Sequence, residues 1–147
     1  MMLSRAFSSS LVAAALLAVG SHAWSQGCES AVEIPTGDTP FDTAGATEVL
    51  DLSGFCDPGP AGNDSIYHTI WFKWVAPTTE TYEVSTCNQA NFDTRLAVLQ
   101  ASCDESLTVA CGDDTAGCAG LTTRITFVAV EGTTYYIAVG GYQASTP

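Results

Sequence analysis

The chain is 147 residues long, with a formal net charge of −12, six cysteines and 46 % hydrophobic residues. That balance argues against nucleic acid and anionic membrane surfaces as partners, since both need clustered Lys and Arg to neutralise phosphate. It suits a solubilised domain outside the cell or one that binds cations.

The N-terminus carries an export signature. Arg5 supplies a positive charge in Met1 to Ser10, Leu11 to Val19 is an unbroken apolar run, and Ser21 and Ala23 suit the positions read by signal peptidase. A membrane anchor is the competing reading, but nine residues at about 1.5 Å each fall short of a hydrocarbon core of about 30 Å. Residues 1–23 are expected to be a signal peptide, and 24–147 one secreted domain at the cell surface, in the medium or in the periplasm. The 124 remaining residues (147 − 23) can bury one core and not two. They keep all 16 acidic residues and only Lys73, Arg95 and Arg124, giving 3 − 16 = −13.

Beyond the leader, short β-branched and aromatic runs recur between Gly, Asp, Asn, Pro and Thr clusters, and no capped helical period appears. Strands are predicted at Ala46 to Ser53, Tyr67 to Val75, Thr81 to Cys87, Arg95 to Gln100, Leu107 to Cys111, Thr122 to Val130 and Thr134 to Gly140. Turn-rich loops fall at Asp57 to Asp64 and Gly112 to Gly120. The fold class is all-β, a jelly-roll-like antiparallel β-sandwich.

The spacing Trp74-Val75-Ala76 with Thr81-Tyr82-x-Val84 returns as Phe127-Val128-Ala129 with Thr134-Tyr135-x-Ile137, at an offset of 127 − 74 = 53. This echo predicts a β-hairpin used twice, with matching aromatics from facing sheets in a common core. The same offset places a counterpart of the strand at Arg95 just after Pro147. A C-terminally incomplete sandwich, a fragment with an open sheet edge, is therefore expected.

Six cysteines in an exported domain read as three disulfides. Fifteen pairings exist; a sequential scheme, Cys28–Cys56, Cys87–Cys103 and Cys111–Cys118, closes short loops between strand ends. Zinc is disfavoured, because no CxxC pair is present and His68 is the one histidine downstream of Ala23.

For a metal, the informative residues are Asp93, Asp113 and Asp114, carboxylates in turns at either side of a short hairpin. Calcium takes such oxygens together with loop carbonyls. The competing reading makes Asp93 and Asp113 formers of Asx turns, with Asp114 solvated. No catalytic residue is identified: there is no GxSxG elbow, and His68, which opens an alternating strand, reads as a surface or packing residue. Trp71 falls on one face of its strand and Phe72 and Trp74 on the other, so one set is exposed unless the sheet is covered twice. An exposed aromatic would suit sugar stacking or a protein hot spot.

Five segments in order, IWFKWVAP (Ile70 to Pro77), TYEVSTC (Thr81 to Cys87), NFDTRLAVL (Asn91 to Leu99), ACGDD (Ala110 to Asp114) and GTTYYIAVGGY (Gly132 to Tyr142), resemble the bacterial prepeptidase C-terminal domain superfamily in its cysteine-bearing variety. The resemblance covers roughly Cys28 to Tyr142. It implies a non-catalytic jelly-roll-like sandwich that accompanies secreted peptidases or stands in surface proteins, aiding targeting, attachment or maturation; related sandwiches bind calcium through loop carboxylates. The chain departs from that pattern in three respects: the domain directly follows the leader, no peptidase precedes it, and the final Gly-rich turn and strand are missing. The expected function is an accessory or binding module for an extracellular polysaccharide or protein. A structural spacer in a surface protein is the alternative, and a hydrolase using His68 ranks last.

Overall fold

The computed structural model describes residues 1–5, 27–56 and 64–145. The apolar run Leu11 to Val19, the cleavage site expected after Ala23 and nearly all of the Asp57 to Asp64 loop lie outside them. Among the described residues no helix is long and apolar enough to cross a membrane.

Among the described residues ten strands form two packed sheets. They are β1 (Met2–Arg5), β2 (Val32–Glu33), β3 (Gly37–Asp38), β4 (Val49–Asp51), β5 (Ser65–Val75), β6 (Glu80–Ser85), β7 (Thr94–Gln100), β8 (Thr108–Gly112), β9 (Arg124–Ala129) and β10 (Thr134–Gly141). One sheet runs β3-β1-β6-β9; the other runs β2-β5-β10-β7-β8, with β4 also on the edge of β5. Pairing is antiparallel except for β2 with β5. All seven predicted strands are present, and the all-β sandwich stands.

Burial follows the layering. Along β9 exposed and buried residues alternate, as a strand with one solvated face requires, whereas the first six residues of β7 are all buried. The six-stranded sheet is in fact covered twice. On its inner face Phe72, Trp74, Leu96, Val98, Ile137 and Val139 meet Tyr82, Val84, Ile125 and Phe127 of the other sheet. On its outer face Leu50, Ile66, Trp71, Ala97, Leu99 and Ala138 are capped by Cys28, Leu52 and Cys56. Trp71 is 2 % exposed and donates its indole N–H to Glu48 Oε1 at 2.9 Å. The alternation along Ile70 to Trp74 thus leaves no tryptophan outside.

The internal echo becomes an approximate two-fold relation. Each copy sends its two strands to opposite sheets, so the turns at Pro77–Thr79 and Glu131–Gly132 are arches between sheets and not the hairpins expected. The first strand of each copy pairs with the second strand of the other: Trp74 lies opposite Tyr135 in one sheet, and Phe127 opposite Tyr82 in the other. Moving the first pair by 53 residues, 74 + 53 and 135 − 53, yields the second. The four rings meet in the centre, with Trp74 4.7 Å from Tyr82 and Phe127 5.0 Å from Tyr135.

The sequential disulfide scheme is not what forms. The bridges are Cys28–Cys103, Cys56–Cys111 and Cys87–Cys118, with Cα separations of 5.9, 6.1 and 5.0 Å. Closing short loops was the wrong criterion, because Cys28, Leu52 and Cys56 form a cover on the outer face of the six-stranded sheet, while the chain between them supplies β2 and β4 to that sheet and β3 to the other. Two bridges tie that cover to β8 and to the β7–β8 connection, and the third joins the β6–β7 connection to the loop before β9.

The side of β6 that faces away from β9 carries a strand from the N-terminus. Met2–Arg5 forms β1 there, with Leu3 opposite Val84, and Met1 and Leu3 are buried in the inner core.

Candidate metal centre

Antiparallel pairing of β7 with β8 places the start of one strand beside the end of the other, with Leu96 opposite Gly112. Asp93 immediately precedes β7, and Asp113 and Asp114 immediately follow β8. One carboxylate oxygen from each of the three lies within 4.8 Å of the others. Asp93 and Asp113 are half-buried, and Asp114 is exposed.

The surroundings hold these groups in place. Arg95 is 5 % exposed and donates from Nε and Nη2 to Asp113 Oδ2 at 3.0 and 2.8 Å. Its Nη1 bonds the Ser65 carbonyl at 3.0 Å, and the guanidinium lies 4.5 Å from the centre of the Tyr142 ring. Behind Asp93, buried Thr86, Thr94 and Thr123 join the two sheets: the Thr86 and Thr94 hydroxyls are 2.6 Å apart, and Thr123 N–H reaches both at 3.1 Å. The Thr123 hydroxyl also donates to the Thr94 carbonyl. Gly112 is needed for closeness, since a Cβ there would come within 2.5 Å of Ile125 Cγ2.

One guanidinium does not neutralise three carboxylates. Asp93 is pushed up to about 6, first by burial and then by the charges of Asp113 and Asp114, with Arg95 opposing. Asp114 is raised for the same first two reasons, burial and then Asp113. Asp93 Oδ1 and Asp113 Oδ1 are buried with no hydrogen-bond partner among the described residues. Two buried lone acceptors facing a negative cluster are costly unless a proton or a cation meets them. All-oxygen donors of this kind fit a hard divalent ion such as calcium, and magnesium less well because of its stricter octahedral demand.

Asx turns do occur, but at other aspartates: Asp42, Asp51 and Asp104 accept from the N–H two residues on, at 2.8, 3.0 and 2.9 Å. Asp113 instead spends one oxygen on Arg95. The three carboxylates singled out from the sequence do converge, but sequence reasoning missed Arg95 and the threonines beside them. Arg95 had a signal, being one of only three basic residues after Ala23 and two positions from Asp93. The threonines had none, since Thr is ordinary in strands.

His68 has no free ring nitrogen: Nδ1 is 2.6 Å from the Ala46 carbonyl and Nε2 2.9 Å from that of Ala144. Two carbonyls favour the imidazolium and raise its pKa, the Ala144 bond most. Its φ of 53° belongs to a β-bulge, where His68 and Thr69 sit opposite Gly140. All six cysteines are bridged, so no thiolate is available for zinc.

No known protein family, curated protein or solved structure matches the chain.

Proposed function

We propose that the chain is an exported, non-catalytic β-sandwich module, bridged by disulfides and stabilised by calcium, that attaches to an extracellular polysaccharide or protein. The observation behind this reading is the converging Asp93, Asp113 and Asp114 carboxylates, with Asp93 Oδ1 and Asp113 Oδ1 buried and lacking hydrogen-bond partners among the described residues. Three disulfides agree with an oxidising compartment. The resemblance of five segments to prepeptidase C-terminal domains agrees as well. In this reading calcium locks the ends of β7 and β8 and so fixes the loops that touch the ligand, while the negative surface selects neutral or cationic partners. Binding of the exported protein to immobilised neutral polysaccharides and to surface proteins, in calcium and in chelator, tests it. Calcium-dependent retention on one of them supports attachment.

A structural spacer is favoured by a different observation, the burial of Trp71, Phe72, Trp74, Tyr82, Phe127 and Tyr135, which leaves Phe55 as the one exposed aromatic among the described residues. A calcium-loaded, folded protein that is retained on nothing in the panel identifies the spacer.

A further inference from the structure

The three disulfides do not sit alike. Cys28 and Cys56 are each 7 % exposed and belong to the outer core, with their partners Cys103 and Cys111 packed against it. Cys87 and Cys118 stand in neither core cluster; both are half-buried and lie in connections, one just after β6 and the other ahead of β9. Around Cys118 the chain reads Ala116-Gly117-Cys118-Ala119-Gly120, and all four neighbours are exposed. No adjacent side chain larger than a methyl stands over that sulfur. Cys87, by contrast, follows the fully buried Thr86.

The two sulfurs also face N–H donors. Arg124 on β9 donates from Nη2 toward Cys87 Sγ at 3.3 Å and Cys118 Sγ at 3.8 Å, and Asn88 Nδ2 lies 3.6 Å from Cys87 Sγ. Glu83, the acidic partner of Arg124, approaches a different nitrogen, Nε, at 3.8 Å. A neutral disulfide gains little from a guanidinium beside it, whereas a thiolate gains a charge-assisted hydrogen bond. Arg124 and Asn88 are therefore arranged for what the bridge becomes when it opens, and both favour charge on Cys87.

We propose that Cys87–Cys118 is a thiol-exchange site, at which a small thiol attacks Cys118 Sγ and Cys87 leaves as a thiolate held by Arg124 and Asn88. The attacking thiolate forms a new S–S bond to Cys118 as the old one breaks, and the electron pair of the broken bond departs on Cys87 Sγ. One disulfide is exchanged for another, with no net oxidation. The Cys87 thiolate can then attack the mixed disulfide, expel the thiol and restore the bridge. The open form keeps its shape through Asn88, which accepts from the Ala119 N–H at 2.9 Å and donates its own N–H to Thr122 Oγ1 at 3.1 Å. These bonds hold the two connections together while the sulfurs part.

The test uses the oxidised full chain in 2-mercaptoethanol at pH 7.5, quenched at intervals with N-ethylmaleimide and mapped by peptide mass spectrometry. Cys87–Cys118 should open at least about tenfold faster than the other two bridges, with the mercaptoethanol adduct on Cys118 and the maleimide on Cys87. Arg124→Gln should slow this opening at least about threefold, and Arg124→Lys, which keeps the charge, should restore part of the rate. An arginine that merely covered the bridge would give the opposite result, since its removal would expose the sulfurs and speed the exchange. Three bridges that open at one rate or not at all, an adduct on Cys87, or an Arg124→Gln variant as fast as the native chain would overturn the proposal.

Discussion

Asp93→Asn should stabilise the calcium-free protein and remove its response to calcium, opposite effects from one atom change. Asp93 titrates at about 6 in the folded chain against an ordinary 3.8. At about 1.4 kcal/mol per unit the gap is worth about 3 kcal/mol; partial solvent access reduces this to about 1–2 kcal/mol. Because the folded pKa is the higher one, the protonated form contributes stability below about pH 4, and that contribution disappears as pH rises through 6. In chelator the native protein should therefore lose about 1–2 kcal/mol from this group between pH 4 and pH 7.5, and the Asn variant should not. Calcium at a hundred times its Kd should return about 2.7 kcal/mol to the native protein, a rise in Tm of roughly 10 °C for a domain of this size. Circular dichroism melts at pH 7.5 in chelator, calcium and magnesium at matched ionic strength resolve these effects. Equal shifts with both ions, or an Asn variant that is less stable in chelator and still responds, would refute the reasoning.

Asp113→Asn should act in the other direction from Asp93→Asn in chelator, because it strips buried Arg95 of its counter-ion; a loss of about 3 kcal/mol in urea unfolding is expected. Partial proteolysis of the unreduced protein followed by mass spectrometry should yield peptides joined as Cys28–Cys103, Cys56–Cys111 and Cys87–Cys118. Replacing Cys28 and Cys103 by Ala, which opens a loop with a sequence separation of 75, should cost about 4 kcal/mol of stability in a melt. Gly140→Ala should cost at least about 2 kcal/mol in the same assay, since its Cβ would collide with the Tyr67 carbonyl and Ile66 Cγ2 at the bulge.

How much of this could be read from the chain depends on the range of each interaction. Strands β4 to β10 announced themselves by local period and turn residues, and Asp93, Asp113 and Asp114 by their places at strand ends, which antiparallel pairing brings together. The echo revealed a repeated unit, but composition does not distinguish a hairpin from an arch between sheets, and only the pairing of β5 with β10 decides it. The disulfides were misread because residues 27–48 carry little strand by which to place Cys28: β2 and β3 are two residues each, too short for a period. Trp71 illustrates the same limit. Its alternation with Phe72 said that a second face exists, and the layer that buries that face comes from chain far away in sequence. β1 escaped notice because Met2–Arg5 reads as the head of a leader.

The account turns on whether the carboxylate cluster takes a cation, and calorimetric titration of the oxidised protein with calcium is the direct measurement. At pH 7.5 one site per chain with a Kd of about 10⁻⁵ M is predicted. At pH 6, near the value to which Asp93 is raised, binding should also release about half a proton, seen as a dependence of the heat on the buffer's ionisation enthalpy. Heats indistinguishable from dilution at both pH values would contradict the metal centre and leave the three aspartates as a strained surface cluster.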